Sequence, residues 1–368
     1  MIRWRDGVVT GVGREWPGAV ELEVTVSGGE ACRALAYPAL TGRPEPGDRV
    51  LLNTTALELG LGTGGYAFVA ALPDRLPLDG PARPGHVVKA RYTPLQATVL
   101  GVDEPDSPHH EVLRDADDLG GMPVVVADLH SALPAVLAGT RGAASPRAGA
   151  PPRAVTPPRA VYVMQDGGAL PAWFSRTCAG LREAGWLAGT VTVGQAFGGD
   201  LEAVTLHTGL LAARLVLGAD LAVVTQGPGN LGTGTRWGFS GVACGEAVNA
   251  AAVLNGRPVA SLRISEADAR DRHRGVSHHS LTAYGRVALA SADVVVPDLP
   301  GEFGALVAGE AAGLGQRHRL VRVPVDGLHE ALRACPVTLS TMGRGLDEDL
   351  AYFLAAAAAG RHALSLLA

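Results

Sequence analysis

The chain begins with short apolar or alternating runs, GVVTGVG, AVELEVTV, CRALAYP, GDRVLLNTT and GGYAFVAAL, each bounded by Gly or Pro. Period-two runs with closely spaced turn signals predict five or more short strands between Val8 and about Val87, folded as a compact barrel or curled sheet. The pattern then changes. Residues 123–128, PVVVAD, form a continuous apolar run suited to a strand buried on both faces, and a helix is predicted from Ser131 to about Leu137. From Ala160 apolar strands and helical stretches alternate: AVYVMQ, a helix over 171–184, GTVTV, a helix over 201–217, LAVVTQ, a helix over 241–254, and PVASLRIS. ADVVVP, a helix near 302–314, RLVRVPV, a helix near 327–334 and an alanine-rich helix over 347–367 complete the pattern. This alternation predicts an α/β domain over 88–368, a largely parallel, doubly wound sheet with helices on both faces, preceded by a β-barrel-like module over 1–87. Residues 141–160 hold five prolines and four arginines and no acid, which predicts a flexible insertion at about 141–158.

In an open parallel sheet ligands bind beyond the carboxyl ends of the strands, where loops and helix N-termini converge. The unusual residues of this chain follow those ends. PVVVAD leads to His130, AVYVMQ to Asp166, GTVTV to Gly198-Gly199-Asp200, LAVVTQ to the glycine loop 227–235, and PVASLRIS to a charged loop ending in Ser277-His278-His279-Ser280. The glycine loop contains GxGxxG at Gly227, Gly229 and Gly232 but departs from a dinucleotide fingerprint. The next helix starts too late, near Gly241, and the next acidic candidate for the ribose, Glu266, lies too far on. No lysine follows the glycines, so an ATP-type phosphate loop is excluded as well.

Two readings of the loop remain, a plain turn and an anion cradle. In the cradle, N–H groups around Gly227, Gly229, Gly232 and Gly234 approach a phosphate or carboxylate, and Thr233, Thr235 and Ser240 add hydroxyl donors. His278 or His279 is the candidate acid–base group, only one of the pair being expected to face the ligand from an extended segment, with Asp166 as its orienter and His130 nearby. Arg344, in STMGRG before the last helix, is a candidate anion clamp. The histidine pair lacks the i, i+4 spacing of a helical metal site, so no metal is expected, although His130 and Asp166 on neighbouring loops leave one open. Asp200 and Glu202 read as helix caps, His109-His110 as a surface pair, and Cys244 as either a buried thiol or one activated at a helix start.

Composition narrows the partners. A chain of 368 residues that is 47% hydrophobic can bury about two cores. Only 18% is charged and the net charge is −5, with acids and bases balanced over residues 1–100, so nucleic acid and membrane surfaces are not the expected partners. Lys89 is the only lysine among 31 basic side chains, a coding bias that makes arginine counts weak evidence. The four cysteines form no CxxC pair, which predicts reduced thiols, and the N-terminus has no apolar run of signal-peptide length. A cytoplasmic protein is therefore expected.

The segments QAFGGDLEAVTLHTGLLAAR, QGPGNLGTGTRWGFSG, GVSHHSLTAYGRV and STMGRGLDEDLAYFLAAAAAG, in this order, resemble the bacterial family catalogued as domain of unknown function 3866. The resemblance spans nearly the whole chain and implies a cytoplasmic bacterial setting. It assigns no activity, cofactor or residue role. Two function classes stay open: a hydrolase or group transferase acting on a small anionic metabolite, and a metabolite-sensing or protein-interaction module using the same loops. RNA binding through the barrel lacks a basic patch. The alanine-rich C-terminal helix is the ground for expecting a homodimer.

Overall fold

The computed structural model describes residues 1–79, 84–141 and 157–367. Most of the Pro/Arg-rich segment expected at 141–158 lies outside the described residues. The chain divides into two compact units, residues 1–100 with 173–179, and residues 101–172 with 180–368.

In the first unit five strands close a barrel in the order Trp4–Trp16, Ala19–Val26, Ala31–Ala36, Ala67–Ala71, Arg49–Asn53. Every pairing is antiparallel except that of Ala31–Ala36 with Ala67–Ala71. The alternation in the sequence does the work: Val20, Leu22 and Val24 from one strand and Val50 and Leu52 from another point into a core shared with Val9, Ala34 and Val69. Closure leaves the barrel without an exposed edge.

The second unit is built on an eight-stranded sheet in which every pairing is parallel. Its order is Leu201–Ala203, Gly189–Val193, Ala160–Gln165, Leu221–Gln226, Pro123–Val126, Arg257–Ser261, Asp293–Asp298, Arg319–Pro324. All residues of the four strands Pro123–Val126, Ala160–Gln165, Gly189–Val193 and Leu221–Gln226 are buried, so both faces of the sheet are covered, as unbroken apolar runs require. From Pro123–Val126 the chain passes to Ala160–Gln165 on one side. From its neighbour Leu221–Gln226 it passes to Arg257–Ser261 on the other. The strand order thus reverses at these two strands, and ligands of doubly wound sheets bind at that reversal.

Three expectations are corrected. The stretch 201–217 opens with an edge strand, Leu201–Ala203, and the helix starts only at Leu206, capped by Thr205, whose side chain accepts from the Thr208 N–H. Asp200 and Glu202 are therefore not caps. Asp200 accepts from the Thr190 N–H and hydroxyl, and buried Glu202 accepts from the Thr192 hydroxyl at 2.7 Å and the Gly198 N–H at 2.6 Å. The stretch 171–184 is broken into a 3-10 turn, Ala172–Phe174, and a helix, Arg176–Glu183, with the Ser175 hydroxyl accepting from the Cys178 N–H. The alanine-rich helix Leu350–Ser365 is buried along most of its length inside this unit. All four cysteines are free. No helix among the described residues is long and apolar enough to cross a membrane.

Leu350–Ser365 packs on the helix Ala132–Gly139 through paired glycines. A Cβ at Gly139 would overlap the Ala357 carbonyl oxygen, and one at Gly360 would overlap that of Val136. Gly360→Ala should therefore force the helices apart and lower stability by about 1–3 kcal/mol. Gly309→Ala, on a helix position with open space around it, should be neutral or stabilise by up to about 1 kcal/mol. Urea unfolding of the two variants checks the contrast.

Candidate functional site

At the reversal, the strand Pro123–Val126 runs into Ala127 and Asp128, and its neighbour Arg257–Ser261 runs into Leu262 and Arg263. Parallel pairing thus sets an acid beside a base at adjacent strand ends, and both side chains are more than nine-tenths buried. Asp128 Oδ2 accepts from Arg263 at 2.9 Å and from His279 Nδ1 at 2.8 Å, while Oδ1 accepts from the Asn230 amide at 3.2 Å. Gly241 lies against the same carboxylate, and a Cβ there would overlap Oδ1. Burial alone would raise the Asp128 carboxyl above its ordinary range. The His279 hydrogen bond and the Arg263 charge outweigh that and hold it below. Asp128 is thus an anion, and with its Nδ1–H committed to Asp128, His279 keeps Nε2 for the pocket.

Three histidines arrive through one loop. Ile264–Ser265 and Gly275–Val276 pair antiparallel and close the segment between them, which carries Asp268, Arg270, Arg272 and His273. Gly275, at positive φ, lets the turn pass Glu310, whose carboxylate accepts from the Val276 N–H at 2.6 Å. Ser277 then caps the short helix His278–Thr282, its hydroxyl accepting from the His279 N–H and standing 2.7 Å from His273 Nδ1. His278 and His279 occupy a helix start and not an extended segment, and both rings lie beside that of His273, while only His279 of the pair lines the cavity. Ring centroids of the three are 4.5–5.1 Å apart. Phe239 stacks on His279 at 3.7 Å and meets His278 edge-on. Burial, then the Arg263 and Arg270 charges, lowers His273 to about 3, and burial lowers His278. Both are neutral imidazoles near pH 7.

The cavity above this group has a volume of about 100 Å³ and is lined by Arg263, Arg270, Arg272, His273, His279, Asn230, Gly232, Gly234 and Met342. Arg270 is held by both oxygens of Asp268. The exposed Arg272 has no ion-pair or hydrogen-bond partner among the described residues. The same is true of the N–H groups of Gly232 and Gly234. Met342 reaches the wall from the tip of the hairpin Ser340–Thr341/Arg344–Gly345, where it and Gly343 both take positive φ, as a tight two-residue turn demands.

Other residues singled out from the sequence fall elsewhere. Gly227 packs so closely on Ala169 that a Cβ would meet its carbonyl, and Gly229 faces open space; neither lines the cavity. The Thr233 and Thr235 hydroxyls bond to each other and to the Gly238 backbone, and Ser240 bonds Asn230 and Leu231, so these hydroxyls fold the loop. Arg344 pairs with Asp349 at 2.9 Å and Asp268 at 3.4 Å instead of reaching the cavity. Asp166 accepts from the Gln195 N–H, and Asp128 occupies the orienting position that had been expected of it. His130, which burial lowers to about 4, bonds the Tyr162 hydroxyl, itself tied to Thr225 and Gln226. Cys244 is buried, and burial followed by the nearby Asp128 charge raises its thiol, the reverse of activation. His110 bonds the Asp103 carbonyl.

Asp128, Asn230, Arg263 and His273 were not among the candidates. The one available signal was position: Asp128 closes a fully apolar run, and His273 sits amid the densest titratable segment of the chain.

Fold and site together define a doubly wound α/β protein, preceded by a small barrel, with a polar pocket at the carboxyl ends of its central strands. The family model described as "Protein of unknown function (DUF3866)" matches residues 33–360, and the chain belongs to that family. No curated protein and no solved structure shows significant similarity to it.

Removing one partner of a buried ion pair leaves the other charge uncompensated. Asp128→Ala should therefore cost about 3–5 kcal/mol of unfolding free energy. Asp128→Ala combined with Arg263→Met should recover much of that loss. Additive losses in chemical denaturation would contradict the coupling.

Proposed function

We propose that the α/β unit binds a small anionic metabolite in the arginine-lined cavity and acts on it as a hydrolase or group transferase. The observation that carries this reading is the convergence of Arg263, Arg270 and Arg272 with His279, whose Nδ1–H is taken by Asp128, around one opening. Guanidinium forks suit tetrahedral, multiply charged oxyanions, so a phosphate ester is the anion this lining favours. The Gly232 and Gly234 N–H groups at the rim add donors without side-chain bulk, which supports the anion-cradle reading of the glycine loop.

The chemistry follows from the asymmetry of the pocket. Positive groups on one side neutralise the anion and the charge that develops on its oxygens during displacement. On the other side His279 Nε2 offers a lone pair where an attacking water or hydroxyl would stand, and Phe239 stacked on the ring restrains its rotation. A group transferase differs only in the nucleophile admitted. The family resemblance supports a bacterial, cytoplasmic setting for this activity.

Anions that bind only the native state must raise its melting temperature. Inorganic phosphate and simple phosphate monoesters should do so, and Arg272→Ala should weaken binding about tenfold or more, the loss of one charged hydrogen bond. His279→Ala should abolish turnover of the stabilising ester, measured as phosphate release. A ligand that stabilises but is never consumed would favour the sensing module, and no stabilisation by any phosphate, sulfate or carboxylate would defeat the reading.

A further inference from the structure

We propose that His273, His278 and His279 form a three-histidine site for a divalent transition-metal ion of the zinc type, at the base of the same pocket. One ring nitrogen from each histidine lies within 4.8 Å of those of the other two. The inference deepens the anion-binding reading and rests on it for its chemistry, but not for its geometry; with an ion bound, the His279 Nε2 lone pair would be taken by the metal, and a water held by the metal would replace His279 as the source of the nucleophile.

Four observations carry it. In two of the rings one nitrogen is already fixed, which leaves Nε2 for a metal: His279 Nδ1 donates to Asp128 at 2.8 Å, and His273 Nδ1 stands 2.7 Å from the Ser277 hydroxyl. Metal-bound imidazoles are oriented in this way, by a carboxylate or hydroxyl on the far nitrogen, and the carboxylate also increases the basicity of the ligating one. Second, His278 Nε2 is buried with no hydrogen-bond partner, an orphaned polar atom that needs a reason in a native structure. A cation among the three rings supplies one. Third, no carboxylate or thiol belongs to the group. An all-imidazole set suits zinc and its borderline neighbours and disfavours magnesium and calcium, which take oxygen. Fourth, His273 and His279 line the cavity, so the position a fourth ligand would take opens toward the arginines. Three protein ligands with one open position is the pattern of catalytic zinc, in which a bound water loses its proton near neutral pH.

The site also accounts for the arginines. A divalent cation beside Arg263 and Arg270 is unfavourable unless negative charge lies between them, and Asp128 compensates only part of it. A phosphate ester would complete the balance. In its hydrolysis the water oxygen bonds to phosphorus, and the ester P–O bond breaks with its electron pair going to the leaving oxygen. That oxygen takes up the proton the water released.

The test uses the full chain, stripped of metal with a chelator and titrated with Co(II) and Zn(II). Co(II) should give the intense visible bands of four-coordinate nitrogen ligation at one equivalent, and Zn(II) should displace it. His278→Ala and His273→Ala should each lose the bands and weaken Zn(II) binding at least 100-fold, with circular dichroism confirming that they fold. His278, part-exposed, is the variant that should fold most easily, and His109→Ala should bind as the parent does. Absence of the bands in the parent protein, or unchanged affinity in both cluster variants, overturns the proposal. If the metal-free chain takes up no metal and is still stabilised by inorganic phosphate, the metal site fails while the anion pocket stands.

Discussion

The arrangement depends on burying one carboxylate. Asp128 can stay ionised inside the protein only because Arg263 and His279 reach the same oxygen and Asn230 the other. Those partners come from the next strand end, the glycine loop and the capped turn. Each segment must fold to neutralise the charge, and the pocket is the space left where they meet. Gly241 is part of this constraint, because any side chain there would displace the carboxylate. A buried ion pair is a poor source of stability, since desolvating both charges offsets most of their attraction. Its presence at the reversal of the strand order, where the fold offers a ligand cleft, is better explained by what it does to His279.

How much of this was legible follows from the kind of signal each part leaves. The parallel sheet was readable because strands buried on both faces leave unbroken apolar runs, as in PVVV, AVYVMQ and LAVVTQ. The barrel was readable because one-sided burial leaves alternation, as in AVELEVTV. The edge strand Leu201–Ala203 was not, since it is three residues long and its buried Glu202 is satisfied by Thr192 and Gly198, partners that no local pattern reveals. The glycine loop and the histidine pair stood out because fold logic puts them at strand ends.

Which polar groups satisfy one another was not readable. Thr233, Thr235 and Ser240 looked like donors to a ligand, yet each is used to shape its own loop. Arg344 looked free, yet two carboxylates hold it, Asp349 just after it and Asp268 far back in the sequence. Asp128 looked like the end of a strand and turned out to be the hub. These are pairings across a hundred or more residues in several cases, fixed by parallel strand register and loop closure. Two adjacent histidines likewise point apart on an extended segment and together at the start of a helix, so the Ser277 cap decides whether a third ring can join them.

The most direct test of the central claim is the protonation pattern of His279, read by nitrogen-15 NMR of histidine-labelled protein in the metal-free state near pH 7. If Asp128 holds the ring as described, Nδ1 carries the proton and Nε2 shows the shift of a bare imidazole nitrogen, a pattern lost in Asp128→Asn. A proton on Nε2 with Nδ1 bare would mean that Asp128 does not orient the ring, and the account of the pocket built on that bond would be wrong.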